Sequence, residues 1–206
     1  MKRVAVDLHF LPCLEFFSCI ADADEIVVSP LEMYQRQSYL NRCRIRLANK
    51  VETLSVPIQG RRPRLPLSKV RVDYTQNWQK IHLRGIQSAY GKAPFFEFYF
   101  PYLSPVYEQK HACLWDLNFE MLTICLKLLR YTGKLTVVDA IENEEVDLDI
   151  RGQIGPSVHF SERNYYQEVP YTQLFGLDFE PNLSVLDILF CTGPEAKKLL
   201  LSSVKN

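Results

Sequence analysis

Two residue periods divide this chain, and the point where one gives way to the other limits the folds open to it. From Asn41 to Leu47 the side chains alternate, with Arg42, Arg44 and Arg46 on one face and Cys43, Ile45 and Leu47 on the other. Successive side chains of a strand point to opposite faces, so the segment predicts a strand with one apolar and one charged side. The same period recurs in Thr53–Ile58, where Leu54, Val56 and Ile58 share a face, and in Lys69–Tyr74, where Val70, Val72 and Tyr74 do. From Trp78 the spacing becomes helical: Trp78, His82, Gly85, Ala89 and Tyr90 fall along one side. Before the alternating region, Val4 to Leu8 and Glu25 to Ser29 read as short strands. A helix begins at Pro12 between them, proline being tolerated in a first turn. The pattern predicts an α/β chain of mixed α+β character, with a mixed N-terminal sheet and a helix-rich C-terminal half.

In that second half, Phe95 to Tyr107 is interrupted by Pro101 and Pro105 and predicts two short helical pieces. Leu114, Leu117, Met121, Ile124, Cys125 and Leu128 define a helix that ends near Gly133. Lys134–Val138 reads as a strand. Val146, Leu148 and Ile150 alternate within an acidic stretch, which fits either an exposed edge strand or a solvated loop. Val158 to Leu177 reads mainly as loop, Ser184 caps a helix over Val185–Phe190, and Gly193-Pro194 opens a last helix. With 206 residues, no internal repeat and no convincing linker, one domain spanning 1–206 is expected. No run of about 18 apolar residues exists, so no membrane span is expected. The N-terminus does not read as a secretion signal. The six cysteines lack CxxC spacing and are expected as free thiols in a reducing cytoplasm.

Charge is strongly segregated although the net charge is zero. Ten basic residues and one acidic residue fall between Met33 and Val72, whereas Asp139 to Asp149 holds six acidic residues and no basic ones. The basic window also carries Gln, Asn, Ser and Tyr, which suits an anionic, oxygen-rich small molecule such as a nucleotide-sugar. The Arg42/Arg44/Arg46 row can hold phosphate or carboxylate in bidentate fashion. It can equally be a solvent-facing side, or an edge strand protected by charge. Arg61-Arg62-Pro-Arg64 reads as a solvated loop or a flap over an anion. Nucleic acid is not an expected partner, because the overall balance is neutral and no known module is visible.

His82, on the apolar stripe of the Trp78 helix, is either a general acid or base or a hydrogen-bonded core residue. His9 follows the first strand next to Asp7, and strand ends in α/β sheets are where ligands commonly sit. Cys43 points away from its flanking arginines and reads as core. No two histidines are spaced as a metal pair on one element, and no P-loop, GxGxxG or GxSxG string occurs, so neither a metal nor a cofactor is expected.

The chain resembles the WbqC-like family of bacteria over nearly its whole length. The resemblance rests on Phe10-Leu-Pro-Cys-Leu-Glu-Phe-Phe17, Ala23-Asp-Glu-Ile-Val-Val28 and Tyr34-Gln-Arg-Gln-Ser-Tyr-Leu-Asn-Arg-Cys-Arg-Ile45. It continues through Leu54-Ser-Val-Pro57, Val72-Asp-Tyr with Trp78 and His82, Asn182-Leu-Ser-Val-Leu-Asp-Ile-Leu-Phe190, and Gly193-Pro194. The chain departs from the family pattern at Asp7-Leu8, where Gln-Pro is usual, and at Cys13, where Trp is usual. The resemblance implies a transferase of O-antigen or other surface polysaccharide biosynthesis that puts glycine on an amino sugar. Carried onto matching positions, it marks Tyr34, Gln37, Ser38, Asn41, Arg42, Trp78 and His82. In that scheme Arg42, with Arg44 or Arg46, holds phosphate. Tyr34, Gln37 and Asn41 bond sugar or acyl oxygens, and Trp78 stacks. His82, His9 or Glu32 takes a proton from the attacking group, with Asp7 beside His9. The alternatives are a non-catalytic binding or assembly protein that uses the basic face, and a transferase with an aminoacyl-tRNA donor.

Overall fold

The structure, a computed structural model, describes residues 1–60 and 64–205. The expected basic flap at 61–64 therefore lies outside the described residues except for Arg64, which is exposed. The strands in chain order are β1 (Arg3–Ala5), β2 (Glu25–Val28), β3 (Arg42–Arg46), β4 (Val51–Ser55), β5 (Lys134–Val137) and β6 (Leu148–Asp149). The α-helices are α1 (Leu14–Ile20), α2 (Trp78–Tyr90), α3 (Phe96–Glu108), α4 (Leu114–Leu128), α5 (Val185–Thr192) and α6 (Ala196–Ser202).

Four of the strands form a parallel sheet in the order β5-β2-β1-β6, with Val4 opposite Ile26 and Leu148. A parallel sheet is covered on both faces, so its central strands need continuous apolar runs. Val4, Ala5 and Val6 on one side and Ile26, Val27 and Val28 on the other supply them, all wholly buried. The α/β class agrees with the two sequence periods. The sheet is not confined to the N-terminal part, however, because half of its strands come from beyond residue 133. The alternation at Val146–Ile150 resolves as an edge strand paired with β1.

Strands β3 and β4 form a separate antiparallel hairpin, with Cys43 opposite Leu54. The second alternating run is shifted toward its start and ends at Ser55. Val56 still donates to the Asn41 carbonyl (2.8 Å), but Pro57 has no N–H to continue the ladder. The third expected strand does not form. A 3-10 turn at Leu67–Lys69 precedes only single bridges, Ile58 to Val72 and Arg71 to Cys113. Pro101 and Pro105 do not split α3, whose Phe96, Leu103, Val106 and Tyr107 are buried. Packing of that face outweighs the lost backbone bonds, which cost roughly 3 kcal/mol per interior proline.

Ser184 caps α5, its Oγ accepting from the Leu186 N–H (3.4 Å). One hydrophobic core runs from Val4 through α1, the hairpin, α2, α3 and α4 to Leu200, so the elements on both sides of residue 133 share an interior. Among the described residues, no helix is long and apolar enough to cross a membrane.

Candidate functional site

Beyond β1 the chain continues as Val6, Asp7, Leu8 and His9, leaving the sheet at its carboxyl edge. That edge is the usual place for a ligand crevice in a parallel sheet. Here Asp7 and His9 face a cavity of about 220 Å³. One wall is residues 35–38, from the segment after β2. The other is residues 152–158, from the segment after β6, with Arg163 behind it.

Asp7 is 8% exposed and accepts the Gly152 N–H. Burial raises the carboxyl above its ordinary value, Gly152 opposes the shift and nearby Glu32 adds to it. His9 lies against the rings of Phe16 (5.2 Å) and Tyr39 (5.9 Å). Burial pushes its imidazole down to about 3, so the ring is neutral, and Nδ1 has no hydrogen-bond partner among the described residues. Gln37 holds the left-handed backbone conformation (φ 58°). Ser38 Oγ donates to the Gln35 carbonyl and accepts from the Leu40 N–H (3.3 Å), which fixes the turn.

The segments that carry the two walls are tied by ion pairs that engage the acidic stretch. Arg151 reaches Glu32 (2.7 Å), Glu142 (2.8 Å) and Asp149 (2.8 Å), tying the segments after β2 and β5 to the end of β6. Arg3 likewise meets Glu25 (2.8 Å) and Glu144 (2.7 Å). Much of the acidic stretch therefore serves as internal counter-charge. Behind the second wall, Arg163 pairs with Glu15 and donates to the Val158 carbonyl (2.9 Å). Glu15 is wholly buried and also accepts from Asn182 Nδ2 (3.3 Å).

The arginine row is directed elsewhere. Arg44 and Arg46 converge on Glu180 at 2.8 and 3.4 Å. Residues 173–180 cover that face of the hairpin, and Gln173 also bonds Asp187 (2.8 Å). Arg42 is half-buried, with Nε unpartnered among the described residues. Asn41 is a latch: Tyr34 OH donates to its Oδ1 (3.2 Å), and its Nδ2 donates to the Val56 carbonyl (2.8 Å).

His82 Nε2 lies 3.1 Å from the Ser55 carbonyl, which can only accept, so Nε2 carries the proton. Its ring sits among Trp78 (5.0 Å), Phe10 (5.8 Å) and Tyr107 (5.9 Å), and burial lowers it to about 4. His82 and Trp78 are thus core residues rather than parts of the recess. Of the residues singled out from sequence, Asp7, His9, Gln37 and Ser38 line the recess, whereas Glu32, an expected proton acceptor, does not line it and is paired with Arg151. Tyr34, Asn41, Arg42, Arg44, Trp78 and His82 do not line it.

Gly152, Gln153 and Arg163 were not legible as site residues. The available signal was Gly152 and Gly155-Pro156 closely following an alternating run, the mark of a loop at a strand end. Chemically, the recess offers a buried carboxyl, a neutral imidazole and several amide and hydroxyl groups. Among the described residues, no group of three or more His, Cys, Asp or Glu side chains is placed to hold a metal ion.

Two stretches, residues 8–162 and 154–199, match the model of the WbqC-like protein family. The chain is also similar to an uncharacterized protein, Rv1507c, of Mycobacterium tuberculosis (strain ATCC 25618 / H37Rv). The two are 26% identical over 230 residues, covering 97% of this chain and 98% of that protein. No solved structure matches.

Proposed function

The chain belongs to the WbqC-like protein family, and from that premise we propose that it is a transferase. It moves an acyl or aminoacyl group, such as glycine, onto the amine of an amino sugar during assembly of O-antigen or another bacterial surface polysaccharide. The observation that carries this proposal is the pairing of Asp7 and His9 in one recess at the carboxyl edge of the parallel sheet. An amine attacking an acyl carbonyl forms the new C–N bond and must lose a proton, while the donor's leaving group departs with the bonding electron pair. Asp7, with its raised proton affinity, takes that proton. Neutral His9 hydrogen-bonds the acceptor without repelling an ammonium group. Gln35, Gln37 and Ser38 bond its hydroxyl and acyl oxygens. Arg36, exposed at the mouth, meets the phosphate of a nucleotide-linked substrate. The proposed location is the cytoplasm, where the free cysteines stay reduced.

A binding or assembly role without chemistry is the second reading. The observation on its side is that burial holds His9 at about 3, far below the value of a base that works near neutrality.

The test is a thermal-shift and turnover panel of nucleotide-linked amino sugars with activated glycine and acyl donors, run on the wild type and on Asp7→Asn. The transferase proposal expects turnover by the wild type and a loss of at least 100-fold in Asp7→Asn, with acceptor binding retained. Binding without turnover on any donor supports the second reading. The absence of any stabilising ligand overturns both.

A further inference from the structure

A second hollow shares no lining residue with the recess. It is an open groove of about 710 Å³ between the start of α3, residues 170–172 and the junction of α5 with α6. That volume lies within the roughly 300–1,000 Å³ typical of small-molecule sites.

Two aromatic rings line it, and both are held in place. Phe95 lies on Gly193, where an added Cβ would come within 2.4 Å of the ring. It also stacks on Tyr99 (6.2 Å), and its N–H donates to the Phe190 carbonyl (3.0 Å). Tyr171 is tethered by its hydroxyl to buried Asp187 (2.6 Å) and meets the edge of Phe179 (5.1 Å). Fixed rings lose little entropy when a flat ligand packs on them. The polar groups along the groove are Thr172, Thr192 and Glu195, and Glu195 is exposed with no salt bridge among the described residues. Among the described residues, none that lines the groove is basic.

A phosphorylated or carboxylated ligand would meet Glu195 without a compensating cation. A purely apolar ligand would leave the hydroxyls and the carboxylate unpaired. We propose that this groove binds a neutral, hydroxyl-bearing ring, a pyranose unit of a glycan, packed on Phe95 and Tyr171 with its hydroxyls donating to Glu195 and Thr172. Rigid aromatic faces take the C–H side of such a ring, and an unpaired carboxylate is the strongest neutral-hydroxyl acceptor present. The site is independent of the transfer chemistry assigned to the Asp7 recess.

The groove carries its own reporter. Cys191 lines it and is half-buried, the most exposed of the six cysteines. Burial, reinforced by Asp187, pushes its thiol up to about 12, so it alkylates slowly and its rate is readily followed at pH 9.

The experiment uses the full chain with cellobiose, lactose and glucose 6-phosphate as probes. Binding is read by saturation-transfer NMR, and Cys191 alkylation is read by mass spectrometry. The expected result is saturation transfer to ring C–H protons of the neutral disaccharides and alkylation slowed at least threefold. Phe95→Ala and Glu195→Gln should each weaken the affinity at least fivefold. Position 195 is exposed, so Glu195→Gln keeps the test valid should Phe95→Ala unfold. The site is refuted by no transfer and no protection, by binding unchanged in Glu195→Gln, or by a preference for glucose 6-phosphate.

Discussion

Glu15 and Arg163, 148 positions apart in the chain, meet in a two-pronged ion pair with both N–O distances at 2.6 Å. Glu15 is wholly buried in α1, and Arg163 closes the back of the recess. Removing one partner of such a pair leaves a desolvated charge and costs roughly 3–5 kcal/mol. Arg163→Ala is therefore expected to lower the urea-unfolding free energy by about that amount. The double change Glu15→Leu with Arg163→Met should recover most of the loss. A double variant as unstable as the single would show that the charges are not the cause.

The arginine row of β3 behaves differently. The side chains of Arg44 and Glu180 are 33% and 27% exposed, so their pair is worth only about 1 kcal/mol or less. Arg44→Ala is expected to leave recess ligands bound as before. Arg36→Ala should weaken phosphate-bearing ligands severalfold, with both effects read by titration calorimetry. Loss of binding in Arg44→Ala alone would return the anion site to the hairpin.

Acid should destabilise the protein through its two buried histidines. Both have folded values below the ordinary 6.5, His9 at about 3 and His82 at about 4. Between those values and 6.5 the unfolded chain binds protons that the folded chain does not, so stability falls as pH drops through that window. At pH 5 the loss is about 2 kcal/mol per histidine. Asp7, raised in the fold, opposes it in part, since its contribution favours the folded state at low pH and is lost as pH rises. Urea midpoints at pH 5 and pH 7 should differ less in His82→Gln than in the wild type. An equal difference in the two proteins would show that His82 does not contribute.

Gly193 has a positive φ (55°) beneath the ring of Phe95. Gly193→Ala would both strain the backbone and displace the ring, and is expected to cost about 1–3 kcal/mol. A melting temperature unchanged from wild type would show that the junction of α5 and α6 relaxes freely.

Local pattern was legible where one element decides the outcome. The period of two at residues 42–46 gave a strand, and helical spacing gave α2 with its observed bounds. That Asp7 and His9 lie together at a strand end was legible from their place beside the first short strand. What lies far along the chain was not legible. Glu180 covers the arginine row from 136 residues away, and Gly152 reaches Asp7 across 145. His82 shows the same limit, since a helical stripe places it inward without revealing the Ser55 carbonyl and three rings that await it.

Strand β1 lies between β2, about 20 residues downstream, and β6, which follows more than 140 residues later. A growing polypeptide thus carries Asp7 and His9 from the outset, yet only the wall of residues 35–38 stands beside them until Gly152 and Arg163 have been synthesised. The recess is therefore assembled only late in synthesis, and a product truncated after α4 would keep both titratable side chains while lacking one of the two walls around them.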